Sequence, residues 1–248
     1  MQRKNYNFVQ DYNIYGLNMC KRIMNRRWLY ILLAVSTLLL ASCAKEMNGQ
    51  MGWDPGFDTR EFTAILTIKK TPGDTVYFQL DDTTTVYPRN YQDGFTRMER
   101  VYCGLSVSNR PTGRFRYTAD VIWLESLEEG TVTSDSSVAG PDPLTVYEDW
   151  MTGVEDGYLT IHYATYWGKN PVRHIFTLVT GTNPDDPYEV VLRHDACGDA
   201  KEELGESIIC FDLNGLPDTG GAYKTLTLNW TSGGAATSKK EFKFKTRK

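Results

Sequence analysis

From Glu61 onward, apolar and polar residues alternate with a period of two in runs the length of strands. "EFTAILTIKK" (61–70) and "TVYFQLDD" (75–82) flank the turn signal "TPGD". "TTTVYPRN" (83–90), "MERVYCGLSVSN" (98–109) and "RFRYTADVIWLESL" (114–127) follow, separated by "YQDG" and "RPTG". No stretch keeps a 3.6-residue apolar period over three turns, so no helix is predicted. Five strands within residues 61–132 match the strand count of a small Greek-key barrel, and an OB-fold is expected there.

Residues 133–144, "TSDSSVAGPDPL", have no apolar periodicity and read as a linker. A second strand series then runs through "GYLTIHYATYW", "VRHIFTLVTG", "YEVVLRHD", "ESIICFDLN", "KTLTLNW" and "KKEFKFK". Its even spacing predicts an antiparallel β-sandwich over residues 145–248. The chain is therefore expected to be all-β, an N-terminal OB-fold barrel followed by a C-terminal sandwich.

The first 42 residues follow a different pattern. Met24-Asn25-Arg26-Arg27 is a short basic stretch, and Trp28–Leu40 is an apolar run too short to span a bilayer but suited to a signal peptide. It ends in Leu40-Ala41-Ser42-Cys43, which resembles a bacterial lipobox. Cleavage between Ser42 and Cys43 would leave an acylated Cys43 as the first mature residue, with Met24 as the expected start. Residues 43–60, polar and Gly-rich, read as a tether. The location expected is the cell envelope, with lipid anchoring at the outer membrane through Cys43.

Charge narrows the partners. Of 27 Lys/Arg and 31 Asp/Glu, residues 1–42 hold six and one, which leaves a mature chain of 21 basic against 30 acidic side chains. Such a chain repels phosphate backbones, so nucleic acid is not an expected partner. Cys103, Cys197 and Cys210 follow Cys43, and an envelope location permits a disulfide. Cys197 and Cys210 are the candidate pair; the alternative is three unpaired thiols.

Candidate chemistry is sparse. The chain holds three histidines, His162, His174 and His194. Leu159, Ile161 and Tyr163 share one strand face, while Thr160, His162, Ala164 and Tyr166 share the other. A hairpin centred on Lys169 would set His174 diagonal to His162 on that polar face; a slip of the centre would separate them. The functional alternative is a metal-dependent hydrolase built on the three. No HxH, HExxH or CxxC spacing supports a metal site, and no GxSxG supports a serine nucleophile. No metal or cofactor is expected. "DDPYE" (185–189) could offer oxygens to Ca²⁺ but lacks the spacing of a calcium loop and reads as a turn. "LPDTG" (216–220) matches a sortase signal in letters only, since an alternating strand follows it. The tail "KKEFKFKTRK" offers a basic patch for anionic lipid or polysaccharide, or simply an edge strand guarded by lysines. Tyr147, Trp150, Tyr166 and Trp167 are candidate ligand-binding aromatics, which could equally fill a core.

Several segments carry a family resemblance. "DGYLTIHYATYWG", "HIFTLVTGTNPDDPYEVVLRHDACGD", "FDLNGLPDTGG" and "LTLNW" resemble the C-terminal sandwich of NigD-like lipoproteins of Bacteroidetes. "YFQLDDTTTVYP" and "YTADVIWLESLEEGTV" resemble that family's N-terminal OB domain. The resemblance covers about residues 60–248 and implies the same two domains. It implies no catalytic residues, and a link to a bacteriocin locus. The expectation is an envelope lipoprotein without enzymatic activity that binds a protein or glycan partner; a role in bacteriocin production or immunity is the alternative.

Overall fold

The computed structural model describes residues 60–91, 99–107, 115–138 and 140–247. The expected leader 1–42, Met24, Ser42, Cys43 and the tether up to residue 59 lie outside the described residues. All regular structure described is β apart from one 3-10 turn, Gly233–Ala235.

Strands β1 (Arg60–Lys70), β2 (Val76–Gln79), β3 (Thr85–Pro88), β4 (Glu99–Val107) and β5 (Arg116–Ser126) close into a barrel in the order β1-β2-β3-β5-β4. This is the OB order, with β3 and β5 parallel and the other pairs antiparallel. Alternate residues fill the interior: Leu66, Ile68, Phe78, Val86, Val101, Cys103, Leu105 and Ala119 are buried together. The alternation breaks once. Gly104 faces Trp123 but Leu105 faces Val121, which leaves Ile122 as a bulge.

The sandwich begins earlier than the sequence suggests. β6 (Glu128–Glu129) joins one sheet and β7 (Thr131–Thr133) the other, so the chain divides between sheets within six residues of the barrel. Gly130 sits at the crossing, where any Cβ would strike the Phe211 ring. The first sheet runs β6-β13-β10-β8, with β9 also on β10; the second runs β15-β14-β12-β11-β7. The strands are β8 (Thr145–Val146), β9 (Gly153–Glu155), β10 (Tyr158–Trp167), β11 (Ile175–Val179), β12 (Glu189–Asp195), β13 (Glu203–Asp212), β14 (Lys224–Thr231) and β15 (Thr237–Phe244). Leu159, Ile161, Phe176, Leu178, Leu192, Ile209, Phe211, Leu226 and Leu228 form its core.

Three expectations change here. The expected linker 133–144 belongs to the sandwich: Leu144 is in the core, Pro141 bridges to His194, and Asp142 accepts the Ala196 N–H at 2.9 Å. The stretch from His162 to His174 is not a hairpin, because β10 pairs with β13, β8 and β9 while β11 pairs with β12 and β7 in the opposite sheet. The sheets are also mixed, with β6–β13, β7–β11 and β12–β14 parallel.

The barrel's outer wall on β1 and β4 abuts the outer face of the first sheet. Thr67 and Arg100 point away from the barrel interior yet are buried, and Arg100 donates to Thr67 Oγ1 at 3.0 Å. The Arg100 guanidinium also lies 5.9 Å from the Tyr158 ring centre. Burial pulls its pKa below the usual arginine value, against the opposing charges of Asp156 and Glu155.

Candidate functional site

The three histidines separate into two environments. His162 lies on the outer face of β10, with Nδ1 2.6 Å from Asp149 Oδ2 and Nε2 3.7 Å from Glu206 Oε2. Tyr147 lies tilted against its ring, with 4.6 Å between ring centres, and donates its hydroxyl to Glu206 Oε1 at 2.7 Å. That bond raises the Tyr147 phenol pKa.

His174 and His194 are buried on the inner side. His174 Nε2 is 3.3 Å from Asp199 Oδ2, and His194 Nε2 is 2.9 Å from His174 Nδ1. A carboxylate only accepts, so His174 carries its proton on Nε2 and accepts the His194 Nε2–H at Nδ1. His194 Nδ1 is left as a buried lone pair without a partner. Burial, reinforced by the adjacent His174, pushes the His194 pKa down to about 4, so it stays neutral. Asp199 also accepts the Gly168 and Ala200 N–H groups, and the first of these contributes most to holding its carboxyl below the usual range. This row pins the 168–174 crossover to β12. The structure thus joins His174 to His194 and leaves His162 apart on the far face. Among the described residues, no three His, Cys, Asp or Glu side chains are placed to hold a metal ion. The three-histidine hydrolase therefore has no assembled centre.

The candidate disulfide is not formed. Cys197 is exposed in the turn after β12, in the second sheet, whereas Cys210 is buried on β13 in the first and donates to Glu128 O at 3.5 Å. Burial in the barrel pushes the Cys103 thiol up to about 12. In "DDPYE" and its flank, the polar groups serve the turn: Asp186 Oδ1 accepts the Tyr188 N–H and Glu189 accepts from Asn183 and Asn229. "LPDTG" is folded in, with Leu216 and Thr219 buried and Thr219 bonded to Thr246. The basic tail is largely spent within the fold. Lys239 pairs with Glu241, Lys240 with Glu148, Lys245 with Asp82 and Arg247 with Asp212.

The four aromatic candidates also part company. Trp167 stacks on His174 at 3.9 Å and packs against the core, so its role is structural. Tyr147 is half-buried over His162. Trp150 and Tyr166 are open to solvent, at 61% and 51% exposure. Trp150 ends a row with two rings that sequence reasoning missed: Tyr102 lies 6.3 Å from it, and Trp123 packs edge-on against Tyr102 at 5.0 Å. Trp123 lies flat where Gly104 has no Cβ and remains 39% exposed. The bulge at Ile122 turns that residue outward too. The result is an aromatic ledge bridging barrel and sandwich. Its sequence signal was the unbroken "VIWL" run in β5, where strict alternation fails.

A cleft of about 390 Å³ opens elsewhere along the same junction. The barrel lines it with Asp81, Asp82 and Thr83, and the sandwich with Val154–Gly157, Tyr223, Lys243 and Lys245. Lys69 Nζ bonds Asp156 Oδ1 at 2.6 Å, and Tyr223 donates to Asp82 at 2.8 Å.

Residues 126–244 match the NigD-like C-terminal beta sandwich domain. Among curated proteins, none matches the chain. Solved structures do share its fold. A Parabacteroides distasonis protein named as toxin-related is 24% identical, with a TM-score of 0.61 over 75% of this chain and 94% of that one. A NigD-like immunity protein from Bacteroides caccae is 16% identical, with a TM-score of 0.53 over 74% of this chain and 96% of its own. A Bacteroides fragilis protein named as a lipoprotein is 12% identical, with a TM-score of 0.53 over 76% of this chain and 100% of its own. Residues 126–244 thus form a NigD-like C-terminal beta sandwich domain, and the solved structures share the fold of barrel and sandwich.

Proposed function

We propose that this chain is an envelope lipoprotein, anchored at the outer membrane through Cys43, that binds a macromolecular partner and has no catalytic chemistry of its own. The observation that carries this reading is the ledge of Trp123, Tyr102 and Trp150 with Ile122 beside it. Exposed large aromatics in one contiguous patch are costly on a free surface, and tryptophan and tyrosine dominate binding hot spots. The lipobox-like "LASC" and the lipoprotein name of the B. fragilis relative support the anchor.

Two substitutions test the two halves of the proposal. Cys43→Ser should move the protein from the membrane to the soluble fraction; a mutant still acylated and membrane-bound would remove the anchor. Trp150→Ala with Trp123→Ala should abolish retention of a partner that the unaltered protein captures from outer-membrane extract or a glycan array. Equal capture by both forms would remove the ledge from the reading.

The names of two relatives, a NigD-like immunity protein and a toxin-related protein, favour a second reading in bacteriocin production or immunity. It predicts toxin or export genes beside this one, and sensitivity to that toxin when the gene is deleted.

A further inference from the structure

The cleft on the barrel–sandwich junction continues onto a wall of the barrel that the ledge does not use. In OB barrels, the outer wall of the second and third strands and the loops beside it receive oligonucleotides and oligosaccharides. Here the registers place one row across that wall. Lys69 is opposite Tyr77, and Phe78 opposite Val86, so the next outward step sets Tyr77 beside Tyr87. The two rings stack at 5.9 Å with 27° between their planes, and the Arg116 guanidinium lies 4.9 Å from the Tyr87 ring centre. At the other end of the row, Lys69 reaches Asp156 in the cleft. The phenol of Tyr77 already senses that carboxylate: its pKa is raised by burial first, then by Asp156 and Tyr87.

The cleft has unused hydrogen-bonding capacity. The Asp156 side chain is only 7% exposed, and its Oδ2 has no partner. The Glu155 and Lys243 side chains line the cleft beside that carboxylate. The Glu155 carboxyl is pushed up to about 7, first by desolvation; Arg100 opposes the rise, and Asp81, Asp82 and Asp156 add to it. Glu155 is exposed at the cleft mouth, which tempers the desolvation.

The charges select the ligand class. Asp81, Asp82, Glu155 and Asp156 face Lys243 and Lys245, with Lys69 and Arg100 close behind. Four carboxylates oppose a phosphate or a uronic acid, and four cations oppose a polyamine. A neutral polyhydroxylated chain meets neither penalty. Its hydroxyls can donate to Glu155 and Asp156 and accept from Lys243, while the C–H faces of its rings lie on an aromatic wall.

We propose that the cleft and the Tyr77–Tyr87 wall form a binding site for a neutral oligosaccharide segment. It stands apart from the ledge, and either can fail without the other.

The test uses the full mature chain with Cys43→Ser, screened on an array of neutral glycans. Titration then follows with the best neutral hit and with trigalacturonate, spermidine and inorganic phosphate. A neutral oligosaccharide should bind with a dissociation constant below about 1 mM. Tyr77→Ala and Tyr87→Ala should each weaken it about tenfold, the scale of one lost aromatic contact. Glu155→Gln should weaken it a few-fold, whereas Lys201→Ala, at a surface lysine that pairs with Asp142 away from the cleft, should not change it. Unaltered melting curves for Tyr77→Ala, Tyr87→Ala and Glu155→Gln guard against loss of fold. The proposal is overturned if no neutral glycan binds in that range. It is equally overturned if a charged probe binds more tightly than every neutral one, or if the Tyr77, Tyr87 and Glu155 variants bind as the unaltered chain does.

Discussion

His174 and His162 lie on one short stretch of chain, yet their surroundings differ in kind. The row of Asp199, His174 and His194 is sealed, with no exposure at the His174 side chain and 3% at Asp199. The His162 group is open on one side, where Glu206 is 58% exposed. Both contain imidazole beside carboxylate, so residue type alone does not separate them. What separates them is which face of the sandwich they occupy. Inside, each donor has one acceptor and no water to replace it, so the row fixes the fold. Outside, solvent can stand in for any lost partner, so the group is free to serve a surface.

The largest effect expected from this contrast comes from His174→Ala. It removes the ring stacked between Trp167 and the core and strands the His194 Nε2–H in a buried site. A cavity together with an unmet donor should cost about 4 kcal/mol in urea unfolding. A loss under about 1 kcal/mol would mean that the row is not sealed.

A somewhat smaller effect should appear with pH. The His194 pKa falls from 6.5 to about 4 on folding, so between those values the unfolded chain holds the extra proton. Stability is then undiminished above pH 6.5 and declines as pH falls toward 4. Full expression of that shift amounts to about 3 kcal/mol. Stability curves from pH 4 to 8 should slope upward in this window, and His194→Phe should flatten the difference whatever its own stability. An identical slope in the variant would assign the titration to other groups.

Much of the fold was legible because long strands print their period on the sequence. β1, β4, β5 and β10 each send alternate residues into a hydrophobic core, and the inward set of Leu159, Ile161 and Tyr163 is the one the pattern gives. β6 and β7, two and three residues long, are too short to carry a period, so the barrel's end and the sandwich's start blurred together. The hairpin expectation failed for a related reason: adjacent strands in sequence need not share a sheet, and nothing in "GKNPVR" marks a crossover. The site was less legible still. Its ledge joins Tyr102, Trp123 and Trp150, and its cleft joins residues 81–83 to 154–157, 223, 243 and 245, groups that only the docking of barrel on sandwich brings together.

The smallest effect should come from His162→Gln, and its smallness is what the contrast requires. Losing the imidazole removes the contact to Asp149 and the longer one to Glu206. Asp149 nevertheless keeps the Met151 N–H on Oδ1 at 3.0 Å, and its backbone carbonyl still accepts the Thr152 N–H at 3.2 Å. The turn that carries Trp150 therefore retains its own closure. Glu206 likewise keeps the Tyr147 hydroxyl. Both carboxylates can also turn to water, so the change in unfolding free energy should stay below about 1 kcal/mol, the range of exposed ion pairs. Capture of the ledge partner should persist, since neither Trp123 nor Tyr102 depends on His162. A loss of several kcal/mol would show that the outer group is as sealed as the inner one. Loss of capture with stability intact would instead make His162 part of the binding surface, extending the ledge along β10 toward Tyr166.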